Sequence, residues 1–138
     1  MILELQATPK EVMRAVEALQ EFGRVRQIPD KALFGLALAL EECGSNIVNH
    51  ALKQDVDKTF QVTMEHANDA FLVELRDRGP EFDPTTTAAR KPQAEEEDLP
   101  GGWGIQLVRR YTDEVRYARE SGENVLRLTK RIPPTGGR

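Results

Sequence analysis

The sequence predicts a two-layer α/β sandwich, with a mixed, mostly antiparallel sheet covered by helices on one face. Two observations carry that prediction. Through residue 51 the apolar residues recur at helical spacing, in two successive runs. From residue 59 the period shortens to two, first in one hairpin and later in a second. At 138 residues the chain has room for a single core.

Ile2 to Leu5 read as a short first strand, placed at a sheet edge. Thr8-Pro9-Lys10-Glu11 has the form of a capping box with proline at the first helical position. Val12, Ala15, Val16, Leu19 and Phe22 then predict a helix over about 9–26. After Pro29-Asp30, one apolar stripe made of Leu33, Leu36, Ala37, Leu40, Ile47 and Ala51 predicts a second, longer helix. Phe60, Val62 and Met64 alternate with polar neighbours. Beyond the Asn68-Asp69 turn, Phe71, Val73 and Leu75 do the same, which is a hairpin. Residues 83–101 lack periodicity, and a stretch that long inside a small domain is functional or disordered. A helix is expected over 102–112. A last hairpin pairs Val115–Arg119 with Asn124–Arg131 across Ser121-Gly122. The whole reads as one domain over 1–132, with 133–138 a flexible tail.

Composition narrows the function. Charged residues make up 30% of the chain and the net charge is −4, which disfavours binding nucleic acid through its phosphates. Cys43 is the lone cysteine, so no intrachain disulfide forms and a reducing, cytoplasmic setting is expected. No apolar run approaches a membrane span.

Three constellations carry chemistry. On the second helix Glu42 and Asn46 lie within about 40° of each other, opposite the leucine stripe, whereas Glu41 stands about 140° away. An amide oxygen there can hold Mg²⁺ while the carboxylate activates a hydroxyl, although taken alone such a pair is more often a plain solvated helix face. At the end of a strand, Asp77-Arg78-Gly79-Pro80 puts the Asp77 carboxylate on the core-facing side. It needs a partner there, either local amides or an exocyclic amine of a ligand, and Gly79 permits close backbone approach. Gly101-Gly102-Trp103-Gly104 opens a helix, as a phosphate-binding amide cluster or as a plain hinge.

Their order and spacing say more than any one of them. Glu-x-x-x-Asn, then Asp-x-Gly-x-x-Phe-Asp-Pro, then Gly-Gly-x-Gly-Ile-x-Leu resembles the asparagine box and the two glycine boxes of the GHKL (Bergerat) ATP-binding superfamily. With Glu41-Glu42, His50 and Gly122-x-Asn124-Val125, the short single-domain form is similar to the bacterial anti-sigma-factor serine/threonine kinases. The resemblance spans Ile2 to Ile132. It implies Mg-ATP as cofactor, with Glu42 the catalytic base and Asn46 the Mg²⁺ ligand. His50 is implied in the ATP pocket, Asp77 on the adenine amine, and Gly79 beside the base. Gly101, Gly102 and Gly104 are implied along the phosphates, and residues 84–100, with Arg90 and Lys91, as a lid. Asn124 stands where family members carry a nucleotide-contacting threonine. The implied partners are a STAS-type anti-anti-sigma protein and a sigma factor, with a homodimer through the first strand. The other reading is a nucleotide-sensing anti-sigma module that transfers no phosphate.

Overall fold

Helix α1 (Pro9–Val25) starts where the threonine-proline pair predicts, with the Thr8 hydroxyl accepting from the Glu11 amide at 3.1 Å. The second half of the capping box does not form. The Glu11 carboxylate turns instead to strand β1 (Ile2–Gln6), accepting from the Gln6 amide at 3.1 Å. The computed structural model describes residues 1–87 and 104–133. Helix α2 runs over Asp30–Asn46 and α3 is one short turn, Pro84–Thr87. Helix α4 covers Gly104–Tyr111.

Strands β2 (Thr59–Ala67), β3 (Ala70–Asp77), β4 (Glu114–Glu120) and β5 (Glu123–Arg131) join β1 in one sheet of order β1-β2-β3-β5-β4. Each of the four pairings is antiparallel. Ser121 and Gly122 both take positive φ, the pair of left-handed residues a two-residue hairpin turn needs.

The alternation read from the sequence sorts the two faces. Phe60, Val62, Met64, Phe71, Val73, Leu75, Leu126 and Leu128 are buried in one core with the stripes of α1 and α2. The other face is open and charged. Arg76 pairs with Glu74, Glu123 and Glu120, and Arg127 with Glu74 and Glu120. Val125, the cross-strand partner of Arg76, is fully buried on that face, because long charged side chains cover apolar surface with their stems.

The β1 edge is less open than the sequence suggests. The Met1–Met64 backbone pair sets the register, so Ile2, Glu4 and Gln6 turn their backbone groups away from β2. An Arg14 N–H donates to the Glu4 carbonyl at 3.2 Å, and Glu11 takes the Gln6 amide. The Glu11–Arg14 ion pair therefore shields two of the backbone groups through which an edge recruits another strand.

Candidate functional site

The second helix departs from its prediction near the site. A single α-helix through Ala51 was expected, but α-geometry ends at Asn46 and Ile47–Ala51 form a π-turn. There the Leu52 amide donates to the Ile47 carbonyl at 2.8 Å, five residues back. Such widened turns cluster at functional sites because they re-aim side chains. This one leaves His50 exposed, its ring stacked on Phe82 at 5.7 Å between centroids and 22° between planes.

Glu42 and Asn46 share a face, as their spacing requires, but the face is half-buried and not bathed in solvent. The start of α4 covers it. A methyl group on Gly104 would stand 2.7 Å from Glu42 Oε1 and 3.8 Å from Asn46 Nδ2. With glycine there, the helix terminus and the Glu42 carboxylate come this near without the carboxylate having to move. Burial pushes the Glu42 carboxyl above the ordinary range, and neighbouring Glu41 pushes it the same way. A carboxylate so perturbed is a better proton acceptor than a solvated one. Among the described residues, neither the Glu42 carboxylate nor the Asn46 amide makes a side-chain hydrogen bond.

Asp77 closes β3 and is 4% exposed. Its Oδ1 accepts from the Gly79 amide at 2.8 Å and from Asn124 Nδ2 at 2.9 Å. Burial raises its carboxyl above the usual range, against the pull of those two bonds and of Arg119. The inward orientation predicted by strand alternation is therefore correct, and local amides satisfy one oxygen. No hydrogen bond among the described residues uses Oδ2. A methyl on Gly79 would lie 2.6 Å from the Ala51 carbonyl oxygen, so this turn packs directly on the π-turn of the second helix.

A small cavity joins these parts, its free space about 10 Å³, roughly one water. Cys43, Ile47, Leu75 and Leu126 line it with the Phe82 and Tyr117 side chains, and Asn46, Asp77 and Asn124 supply its polar atoms. At that size the cavity does not admit a purine without a shift of its lining. Burial raises the Cys43 thiol to about 12, so it is an inert wall at neutral pH. A larger groove of about 560 Å³ opens elsewhere, by Glu4, Lys58, Arg76 and Arg78. It holds none of the predicted site residues except Asp77, and its arginines are ion-paired to Glu123.

The structure thus brings together Glu42, Asn46, Gly104, Asp77, Gly79 and Asn124, with His50 stacked on Phe82. Gly101 and Gly102 lie outside the described residues. So does the expected lid beyond Thr87, including Arg90 and Lys91. Of that stretch Pro84–Thr87 is described as a helical turn, whose start Asp83 caps by accepting from the Thr85 amide at 2.9 Å. Sequence reasoning missed Tyr117 and Arg119. Both alternate onto the inward face of β4, but an arginine at a strand end reads as solvated.

Residues 5–130 match the histidine kinase-like ATPase domain family. The chain belongs to that family. It is 29% identical over 134 residues to the serine/threonine-protein kinase BtrW of Bordetella bronchiseptica, covering 96% of this chain and 94% of that one. Its fold is shared with a crystal structure of RsbU and RsbW domains from Mycobacterium tuberculosis, at a TM-score of 0.64 and 18% identity. That match takes in 96% of this chain and 32% of the longer one. The SiaB–SiaC complex from Pseudomonas aeruginosa matches at a TM-score of 0.68 and 14% identity, over 94% of this chain and 88% of that chain. No helix among the described residues is long and apolar enough to cross a membrane.

The donor set fits the magnesium ion that the resemblance implies. Mg²⁺ keeps several waters and takes one or two protein ligands together with substrate phosphates, and the uncommitted Asn46 amide oxygen beside Glu42 suits that role. Among the described residues no cluster of three His, Cys, Asp or Glu side chains competes for it.

Proposed function

We propose that this chain is an ATP-dependent serine/threonine protein kinase that phosphorylates a STAS-type anti-anti-sigma partner and holds a sigma factor or similar target. The observation that carries this reading is the seat of Gly104 against Glu42 and Asn46, with Asn46 and Asp77 lining one cavity. One side chain able to accept a proton, one amide able to hold a cation and one buried carboxylate able to take an exocyclic amine then border a single site. BtrW, a serine/threonine-protein kinase, is the relative that supports the activity.

In this mechanism Asp77 Oδ2 accepts from the adenine amine and orients the base. Asn46 and the amides at the start of α4 face the phosphates, where the helix dipole favours negative charge. Mg²⁺, when bound, neutralises charge developing on the transferred phosphoryl group. Glu42 accepts the proton of the partner's hydroxyl as that oxygen attacks the γ-phosphorus and the bond to the bridging oxygen breaks, releasing ADP, and its raised pKa suits the task. His50 stacks on Phe82, whose ring lines the cavity. A homodimer belongs to the same reading, and a contact through β1 requires Glu11 and Arg14 to release the edge.

The deciding experiment is transfer of radiolabel from ATP to a co-encoded STAS-type protein, beside nucleotide binding on the same sample. Binding with transfer that needs Mg²⁺ supports the kinase. Binding of ATP and partner without transfer under any condition favours a nucleotide-sensing anti-sigma module instead.

A further inference from the structure

We propose that Asn124 is a positioning residue for Asp77 and not a ligand of the nucleotide. The proposal rests on the nucleotide-pocket reading above and revises the part the sequence assigned to Asn124.

A side-chain amide has two N–H donors and one oxygen with two lone pairs. In Asn124, which is 4% exposed, all are spent within the protein. Nδ2 donates to Asp77 Oδ1 at 2.9 Å and to the Pro80 carbonyl at 2.8 Å. Oδ1 accepts from the Phe82 amide at 3.1 Å, from Arg119 Nη1 at 3.1 Å and from the Tyr117 hydroxyl. The partners fix which end is which, because the Phe82 and Arg119 N–H groups need an oxygen and the Asp77 and Pro80 oxygens need a donor. No capacity remains for a ring nitrogen of a base.

Two consequences follow for recognition. Asn124 and the Gly79 amide both hold Oδ1, so Oδ2 is the Asp77 oxygen left to meet a ligand. The Tyr117 hydroxyl donates to Asn124 as well, and Asp77 Oδ2 is the carboxylate oxygen the cavity offers to the amine of a base. Arg119 also donates to the Gly79 carbonyl at 2.8 Å, tying the same turn from a second side.

The test is a double-mutant cycle on ATP binding by calorimetry, using Asn124→Ala, Asp77→Asn and the pair. Loss of a charge-assisted bond should weaken ATP about ten- to a hundredfold in Asn124→Ala. In the Asp77→Asn background the same change should cost less than about twofold, because its route to the nucleotide is already gone. Inosine triphosphate, with a carbonyl in place of the amine, should gain on ATP in Asn124→Ala. An undiminished loss in the Asp77→Asn background would make Asn124 a direct ligand and overturn the proposal. Asn124→Leu keeps nearly the same volume while removing both donors and adding no charge, so it serves if the alanine variant does not fold. A carbon-detected NMR titration of Asp77 without nucleotide separates this proposal from the reading beneath it. Both Asn124 variants should raise the Asp77 pKa, and an unchanged value refutes the positioning role even if the wild type binds no ATP.

Discussion

Gly104 faces Glu42 so closely that a single added methyl would stand 2.7 Å from the carboxylate oxygen. That contact joins residues 62 positions apart in the chain and puts the start of α4 against the end of α2. It turns a pair of polar residues on a helix into one wall of a site.

Gly104→Ala tests this contact directly. The obstructing atom is the end of a flexible side chain, so Glu42 swings aside and the domain stays folded, with stability changed by less than about 1 kcal/mol. Phosphoryl transfer should fall much further than stability, because Glu42 loses its place. Thermal melts beside transfer rates show the split, and equal transfer in variant and wild type would count against the arrangement.

Gly79→Ala should behave in the opposite way. Its methyl would lie 2.6 Å from a backbone oxygen, that of Ala51, which cannot rotate away. Overpacking of this kind costs about 1–3 kcal/mol. Urea unfolding measures it, and a variant as stable as the wild type would mean that the turn and the π-turn are not packed as described.

Glu42→Gln separates base from scaffold. Transfer should drop about 10²–10⁴-fold while ATP binding persists. The folded pKa of Glu42 is raised by burial and by Glu41. The stability of the protonated form is therefore complete below the unfolded pKa and is lost as pH rises through the folded one. Near neutral pH the ionised group is a net cost, so Glu42→Gln should melt higher than the wild type there. The advantage should disappear in acid, below the unfolded pKa, and melting curves across pH decide it.

Asp77→Asn should weaken ATP by about 1–3 kcal/mol and erase the preference over GTP, whose carbonyl meets the carboxylate as acceptor against acceptor. Equal wild-type affinity for the two nucleotides would remove Asp77 from the recognition of the base.

Replacing both Glu11 and Arg14 with alanine should bare the Glu4 carbonyl and the Gln6 amide at the β1 edge. Sedimentation should then show more self-association than in the wild type. Unchanged sedimentation would argue that any dimer forms through another surface.

The residues themselves announce most of the architecture. The 3.6-residue stripe of Leu33, Leu36, Ala37 and Leu40 and the alternation of Phe71, Val73, Leu75 and Asp77 determine which side of each element is buried, since apolar area leaves water wherever a face collects it. The inward aim of Asp77 and the Glu42–Asn46 pairing follow from those same periods. Tertiary structure alone decided the rest. The Glu11 carboxylate on Gln6 in place of its own cap and the saturation of Asn124 depend on hydrogen-bond partners in other elements, and the π-turn at Ile47–Ala51 packs against the Gly79 turn. Local pattern records how much surface a segment must bury. It does not record which donor from another element arrives at a given oxygen, because that is set by the packing of the whole core.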